Sequence, residues 1–210
     1  MLLPVVPRLR YHAGACGGLL ALLLLSFPAW GMEAHQGIDP QAGLPSWTIH
    51  DAGMSLRLVQ RLPDQTRGFL MARGFTAAQA ERVAVSCVFQ TDFRNIASDD
   101  APLSYDLHDW IVHFQGEQRQ MKLREEWVQE WQRLDVPPAT RTAFEWGMYP
   151  TAQTYQPGDY NWGISVFNLP PGARFDLEVV WRQFGRIHRY TMRDIQCAPD
   201  IHPDPAAAGE

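Results

Sequence analysis

The sequence predicts a mainly β fold: an antiparallel immunoglobulin-like β-sandwich with two or three short helices inserted before its last strands. Three observations carry this. About eight short runs of strand character are separated by turn formers at regular spacing. Near the end of the chain Phe175, Leu177, Val179 and Trp181 share one parity while Asp176 and Glu178 take the other, the period of a strand with one buried face. Two cysteines, Cys87 and Cys197, remain once an N-terminal export signal is set aside, and cysteines of an exported domain pair. An α+β arrangement, with helices on one face of a single sheet, is the alternative.

Residues 1–31 read as a signal peptide. Arg8 and Arg10 precede the apolar run Leu19 to Phe27, and Ala29 and Gly31 supply small residues at the −3 and −1 positions of a cleavage site. That run is shorter than the ~20 residues a spanning helix needs, although counting outward from Ala13 nearly reaches them. Anchoring in the inner membrane by an uncleaved signal is therefore the alternative to a periplasmic or secreted protein. Cys16 precedes the apolar run instead of following it, which excludes a lipoprotein signal. The formal charge is −5, and loss of the two signal arginines makes it −7. A chain of this sign repels phosphate backbones and anionic lipid surfaces, so nucleic acid is excluded as a partner. The remaining length, about 179 residues, suits one domain with a substantial core.

Residues 32–46 are rich in turn formers and are expected to be a flexible N-terminal segment, and residues 47–198 to form a single β-rich domain. Trp47 to Ile49 and Met54 to Val59 read as strands around Asp51-Ala52-Gly53. A first helix begins at Leu62-Pro63-Asp64, with Gly74 just past its end. Thr76-Ala77-Ala78-Gln79 is a capping box opening a second, on which Ala80, Val83, Ala84 and Cys87 define a buried face. Val88 to Thr91 continues as strand, and Ser98 to Leu103 is a loop. Tyr105 to Phe114 reads as one strand, central in a sheet because both of its faces are apolar. Leu123, Trp127, Trp131 and Leu134 form the stripe of a third helix, ended by Pro137-Pro138. Thr142 to Trp146 reads as a strand and Met148 to Pro157 as a loop. Three strands follow, joined by the turn Asn168 to Gly172 and a hairpin at Gly185, and the last should carry a bulge because its alternation breaks between Met192 and Ile195. Residues 199–210 are expected to be a disordered tail.

Chemistry is sparse. Cys87 and Cys197 lack a neighbouring cysteine or basic residue that would make a thiolate, so a structural disulfide is expected; a bridge over roughly 110 residues stabilises by about 4–5 kcal/mol in the loop-entropy account. His108 and His113 are five apart and diverge on any regular element, so neither can chelate with the other. A copper site would have to gather His35, His108, His113 and Met148 from distant parts of the chain. A cut after Ala34 would expose His35 as an N-terminal copper brace, resembling exported copper monooxygenases and copper-handling sandwich proteins, with Met32 a poor −3 residue for that cut. Tyr149, Tyr155, Tyr160 and Trp162 fall among prolines and glycines and form a candidate recognition loop, suited to stacking on sugars or to a flat contact surface. No GxSxG, HExxH or glycine-rich phosphate loop is present. The sequence thus points to a non-catalytic binding or accessory protein of the periplasm, without a cofactor, acting on an exported protein or a small ligand at the cell envelope. Copper delivery or a copper-dependent oxidase is the alternative.

Overall fold

A computed structural model describes residues 32–51 and 53–201. The signal peptide expected over 1–31 and the tail beyond 201 lie outside the described residues. The architecture is the antiparallel β-sandwich with inserted helices that the pattern predicts, with four α-helices among the described residues instead of two or three.

The first sheet contains β1 (Glu33–Ile38), β2 (Pro45–Asp51), β3 (Met54–Gln60), β4 (Val88–Asn95) and β9 (Tyr160–Val166), adjacent in that order and antiparallel throughout. The second holds β5 (Leu103–Asp106), β6 (Ile111–Phe114), β7 (Glu117–Arg119), β8 (Ala152–Tyr155), β10 (Arg174–Gln183) and β11 (Arg186–Gln196). One edge of β10 carries β11 along its whole length; the other is shared by β6 at Asp176 to Glu178 and by β5 at Arg182. The expected long strand Tyr105 to Phe114 is therefore two strands. A 3₁₀ turn, Leu107–Asp109, divides them, capped by the Asp106 carboxylate on the His108 amide at 2.9 Å. The Trp110 indole then donates to Val180 O at 2.9 Å, filling the edge position that the turn leaves open.

Between the sheets lies the main core: Trp47, Leu56, Leu58, Phe89 and Phe93 from the first, Tyr105, Trp110, Val112, Leu177, Val179 and Trp181 from the second. A second core forms where the helices cover part of the outer face of the first sheet. Helices α1 (Pro63–Met71), α2 (Ala77–Ala84), α3 (Arg124–Arg133) and α4 (Pro138–Gly147) bring Leu70, Val83, Trp127, Trp131 and Phe144 onto Val88, Ile164 and Val166. The expected capping box is present, with Gln79 N donating to Thr76 Oγ1 at 3.3 Å and Thr76 N to Gln79 Oε1 at 3.0 Å. Helix α4 corrects the strand expected over Thr142 to Trp146. Pro138 occupies its first turn, where the missing amide costs nothing, and Thr140 and Phe144, four apart, make its buried side.

Two more local differences matter. Residues 33–38, within the segment expected to be loose, pair with β2 as strand β1 with every residue exposed. Arg67 clamps Asp200 (Nη2 to Oδ2, 2.8 Å) inside the expected tail, while also holding Asp64 and Glu81. The expected bulge exists: Phe175 pairs with Ile195 but Leu177 with Met192, and Asp194 takes φ +54° to make room.

The disulfide joins Cys87 to Cys197, with Cα atoms 5.1 Å apart and a sequence separation of 110. Cys87 follows α2 with φ +55°, a left-handed backbone that a β-carbon disfavours. Its carbonyl accepts from Phe167 N at 3.0 Å, and Cys197 N donates to Ala173 O at 2.8 Å. The bridge therefore ties the helix layer and first sheet to the end of the second.

Candidate functional site

Strand β9 shows how the surface is made. Its even-numbered residues face outward from the sandwich. Ile164 and Val166 lie under the helices, whereas Tyr160 and Trp162 extend past the layer and are exposed. Trp162 pairs across the sheet with Asp92, and Tyr160 with Arg94. Asp92 is bound through both oxygens by Arg94, at 2.9 and 2.8 Å, and also receives Arg57 at 3.2 Å. The Arg94 guanidinium in turn lies 4.7 Å from the centre of the Tyr160 ring. This strip of the first sheet is polar and supported from beneath, with its aromatic rings turned to water.

The chain leaving α4 supplies the opposite wall. Tyr149 N donates to Ile164 O at 2.8 Å, and Met148 forms a parallel bridge to Ile164. An approach this close is possible only because residue 163 is glycine: a β-carbon there would fall 2.6 Å from Tyr149 N. The contact brings Trp146, 87% exposed at the last turn of α4, to the same cleft as Trp162, 61% exposed. This cleft, of about 430 Å³, is lined by Arg124, Glu145, Trp146, Pro150, Asn161 and Trp162, with Met148 beneath. Glu125, next to Arg124, accepts from Thr151 Oγ1 at 2.5 Å. Burial works against its ionisation, but the Thr151 hydroxyl and a backbone amide outweigh it and hold the carboxyl below the usual range. That hydrogen bond fixes the Pro150–Thr151 segment against the start of α3.

The four aromatics expected in one recognition loop are thus divided. Tyr149 and Tyr155 are buried in the main core, where Tyr149 stacks on Tyr105 with ring centres 5.4 Å apart. The hydroxyl of Tyr155 lies 3.4 Å from that of Tyr105 and 3.3 Å from that of Tyr149, and Tyr105 donates to Pro150 O at 3.1 Å. Burial raises the pKa of all three phenols. Tyr105 and Tyr149 brace the cleft from the core, through Pro150 O and Ile164 O; of the four expected aromatics Trp162 lines the cleft, and Tyr160 is exposed two residues away on β9. Sequence reasoning missed Trp146, Arg124, Glu145 and Asn161. Trp146 was legible in principle: two positions beyond buried Phe144 on a helix, it must face away from the core.

The residues considered for copper do not gather. His35 is exposed on β1, 3.5 Å from Glu33; His108 is exposed beside Asp106 at 2.7 Å; His113 lies 3.7 Å from Glu178; and Met148 is buried in the helix-layer core. Among the described residues no three of His, Cys, Asp or Glu are placed to hold a metal ion. No helix among them is long and apolar enough to cross a membrane.

A larger cleft, about 580 Å³, opens between β1 and β11 over Trp47 and Met192. Its arginines are ion-paired, Arg189 with Glu178 at 2.8 Å and Arg193 with Asp176 at 3.5 Å, as Arg124 of the tryptophan cleft is with Glu125 at 3.2 Å, so charge pairing does not separate the two clefts. The tryptophan cleft instead exposes two large rings at a substantial solvation cost. It can stack on flat or ring-shaped ligands and hydrogen-bond their hydroxyls through Arg124, Glu145 and Asn161.

No family model matches this chain, and no curated protein matches it. Among solved structures, a chain from Bacillus subtilis described as a "putative lipoprotein" aligns with 12% identity and a TM-score of 0.32, over 51% of this chain and 28% of its own. A likeness of that degree carries no argument about fold or function.

Proposed function

We propose that the protein is an exported, non-catalytic binding or accessory protein of the cell envelope, and that the cleft between Trp146 and Trp162 is its recognition site for saccharide rings. One observation carries the reading: two tryptophans, 87% and 61% exposed, line one cleft together with the hydrogen-bonding side chains of Arg124, Glu145 and Asn161. Sugar rings present apolar faces that stack on such aromatics and hydroxyls that such groups accept or donate to. The Cys87–Cys197 disulfide supports an oxidising compartment, and with it export. The supporting floor of tyrosines and the Glu125–Thr151 bond pre-organise the walls, which lowers the ordering cost of binding.

Affinity electrophoresis of the full chain against a panel of soluble polysaccharides tests this. Retardation by at least one polymer, lost in Trp146→Ala/Trp162→Ala with an unchanged melting temperature, is the expected result. No retardation by any polymer, or retardation that survives the double substitution, would overturn it. Stoichiometric copper in protein purified without a histidine tag, lost in His35→Ala, would instead favour the copper-handling alternative.

A further inference from the structure

The last turn of α4 has two neighbours. Trp146 lines the cleft, and Gly147 abuts the Phe69 ring of α1, where a β-carbon would lie 3.3 Å from Cζ. Phe69 is itself flanked by two cations. The guanidinium carbon of Arg73 lies 3.4 Å from the ring centre and that of Arg61 lies 5.3 Å away. Arg73 Nη1 donates to Phe69 O at 3.1 Å, which positions it without neutralising it. Neither Arg61 nor Arg73 forms an ion pair among the described residues, and the buried Nε of Arg61 has no hydrogen-bond partner there.

The ring attracts each guanidinium, but the two like charges repel one another, and an oxyanion bound beside them would relieve that repulsion. Burial of Arg61, and then the charge of Arg73, lower the Arg61 pKa, as expected for a cation lacking its counter-charge. Other arginines have carboxylate partners, Arg67 three, Arg94 one and Arg174 its Asp194, whereas Arg133 and Arg141 bond backbone carbonyls but are not gathered around a shared ring as Arg61 and Arg73 are.

We propose that Arg61 and Arg73, around Phe69, form an oxyanion-binding subsite contiguous with the tryptophan cleft, and that the ligand of this face is an acidic glycan. The glycan assignment rests on the saccharide reading of the cleft; the oxyanion subsite does not. The exposed guanidinium of Arg73 offers charge-assisted donors to a carboxylate, sulfate or phosphate group, and Arg61, whose Nε is buried, supplies a second positive charge beside it. Sugar rings stacked between Trp146 and Trp162 would then carry their acid groups toward α1.

Sodium sulfate is the first probe, titrated at constant ionic strength into isotope-labelled full chain while the arginine Nε–H resonances are followed. Saturable shifts at Arg61 and Arg73, abolished in Arg73→Gln, are expected; Arg73 is exposed, so this variant folds. The absence of a saturable shift overturns the subsite whatever saccharides bind. The second probe compares an oligogalacturonate with its methyl ester, which has the same rings and no charge. The acid should bind about tenfold or more tightly in the wild type and no better than the ester in Arg61→Gln/Arg73→Gln, whereas Trp146→Ala/Trp162→Ala weakens both. Equal affinity for acid and ester in the wild type overturns the acidic ligand and leaves the cleft reading standing. Binding of neither, with the sulfate response intact, overturns the glycan assignment through the cleft reading and retains the oxyanion subsite.

Discussion

Tyr149 and Tyr155 differ from Tyr160 and Trp162 less in chemistry than in what lies over them. The first pair closes the core, hydrogen-bonded hydroxyl to hydroxyl; the second stands in solvent on the same continuous stretch of chain. Composition does not separate them. What does is strand parity combined with the place where the helix layer stops. On β9 the outward positions Ile164 and Val166 are covered by helices and apolar, while Tyr160 and Trp162 are uncovered and aromatic. A side chain that needed only burial would not be placed on the uncovered half. The contrast therefore separates residues that hold the fold from residues the fold displays.

The frame beneath both halves depends most on the disulfide, since Cys87 immediately precedes β4 and Cys197 follows β11. Replacing both cysteines by serine should cost about 4–5 kcal/mol, lowering the melting temperature by roughly 10–20 °C. Calorimetry with and without reductant checks this, and an unchanged melt would contradict the role assigned to the bridge. Next in size is Gly163→Ala, whose added methyl would meet the Tyr149 backbone at 2.6 Å. Because the obstacle is backbone, the strands must part, at a cost of about 1–3 kcal/mol or more in urea denaturation. That variant should also open the cleft, so a neutral result would mean that the close approach does not shape the site.

Much of this frame was legible in the sequence. The alternation Phe175 to Trp181, the box at Thr76 and the bulge near Asp194 depend on local rules that tertiary contacts did not override. The misread elements share a different cause. The 3₁₀ turn at Leu107 exists because β10 offers one edge to two partners, and β1 because β2 had an edge free. Helix α4 hid behind Pro137-Pro138, read as a stop when Pro138 is a start. That error concealed Trp146, and with it half of the candidate site. The four aromatics expected in one loop do not stay together: Tyr149 and Tyr155 are buried while Tyr160 and Trp162 are exposed, a division that depends on where the helices end, which no local pattern encodes.

The buried half of the comparison has a pH signature. Burial raises the phenol pKa of Tyr105, Tyr149 and Tyr155 in the folded chain, whereas in the unfolded chain they ionise near ~10. The folded state therefore holds more protons above that pH. The stabilisation is fully present below about pH 10 and is lost as the pH rises beyond it. Tyr155→Phe should cost about 0.5–1.5 kcal/mol near neutrality and make the alkaline decline shallower. Urea midpoints at pH 8 and pH 11 provide the check, and an identical decline in both proteins would remove the triad from the account.

The exposed half predicts the smallest effect on stability and thereby the sharpest contrast. Trp162→Ala removes an exposed ring that stands on β9 across from Asp92 and belongs to neither core cluster. Its loss should change stability by no more than about 0.5 kcal/mol, as for surface positions generally. Trp146→Ala should behave likewise. If either variant instead unfolds with a loss of about 2 kcal/mol or more, the ring is performing a packing role and the two halves of β9 are not distinct. If stability holds while saccharide binding disappears, conformational stability cannot be why the chain keeps these rings in water, and recognition is the remaining physical reason for their solvation cost.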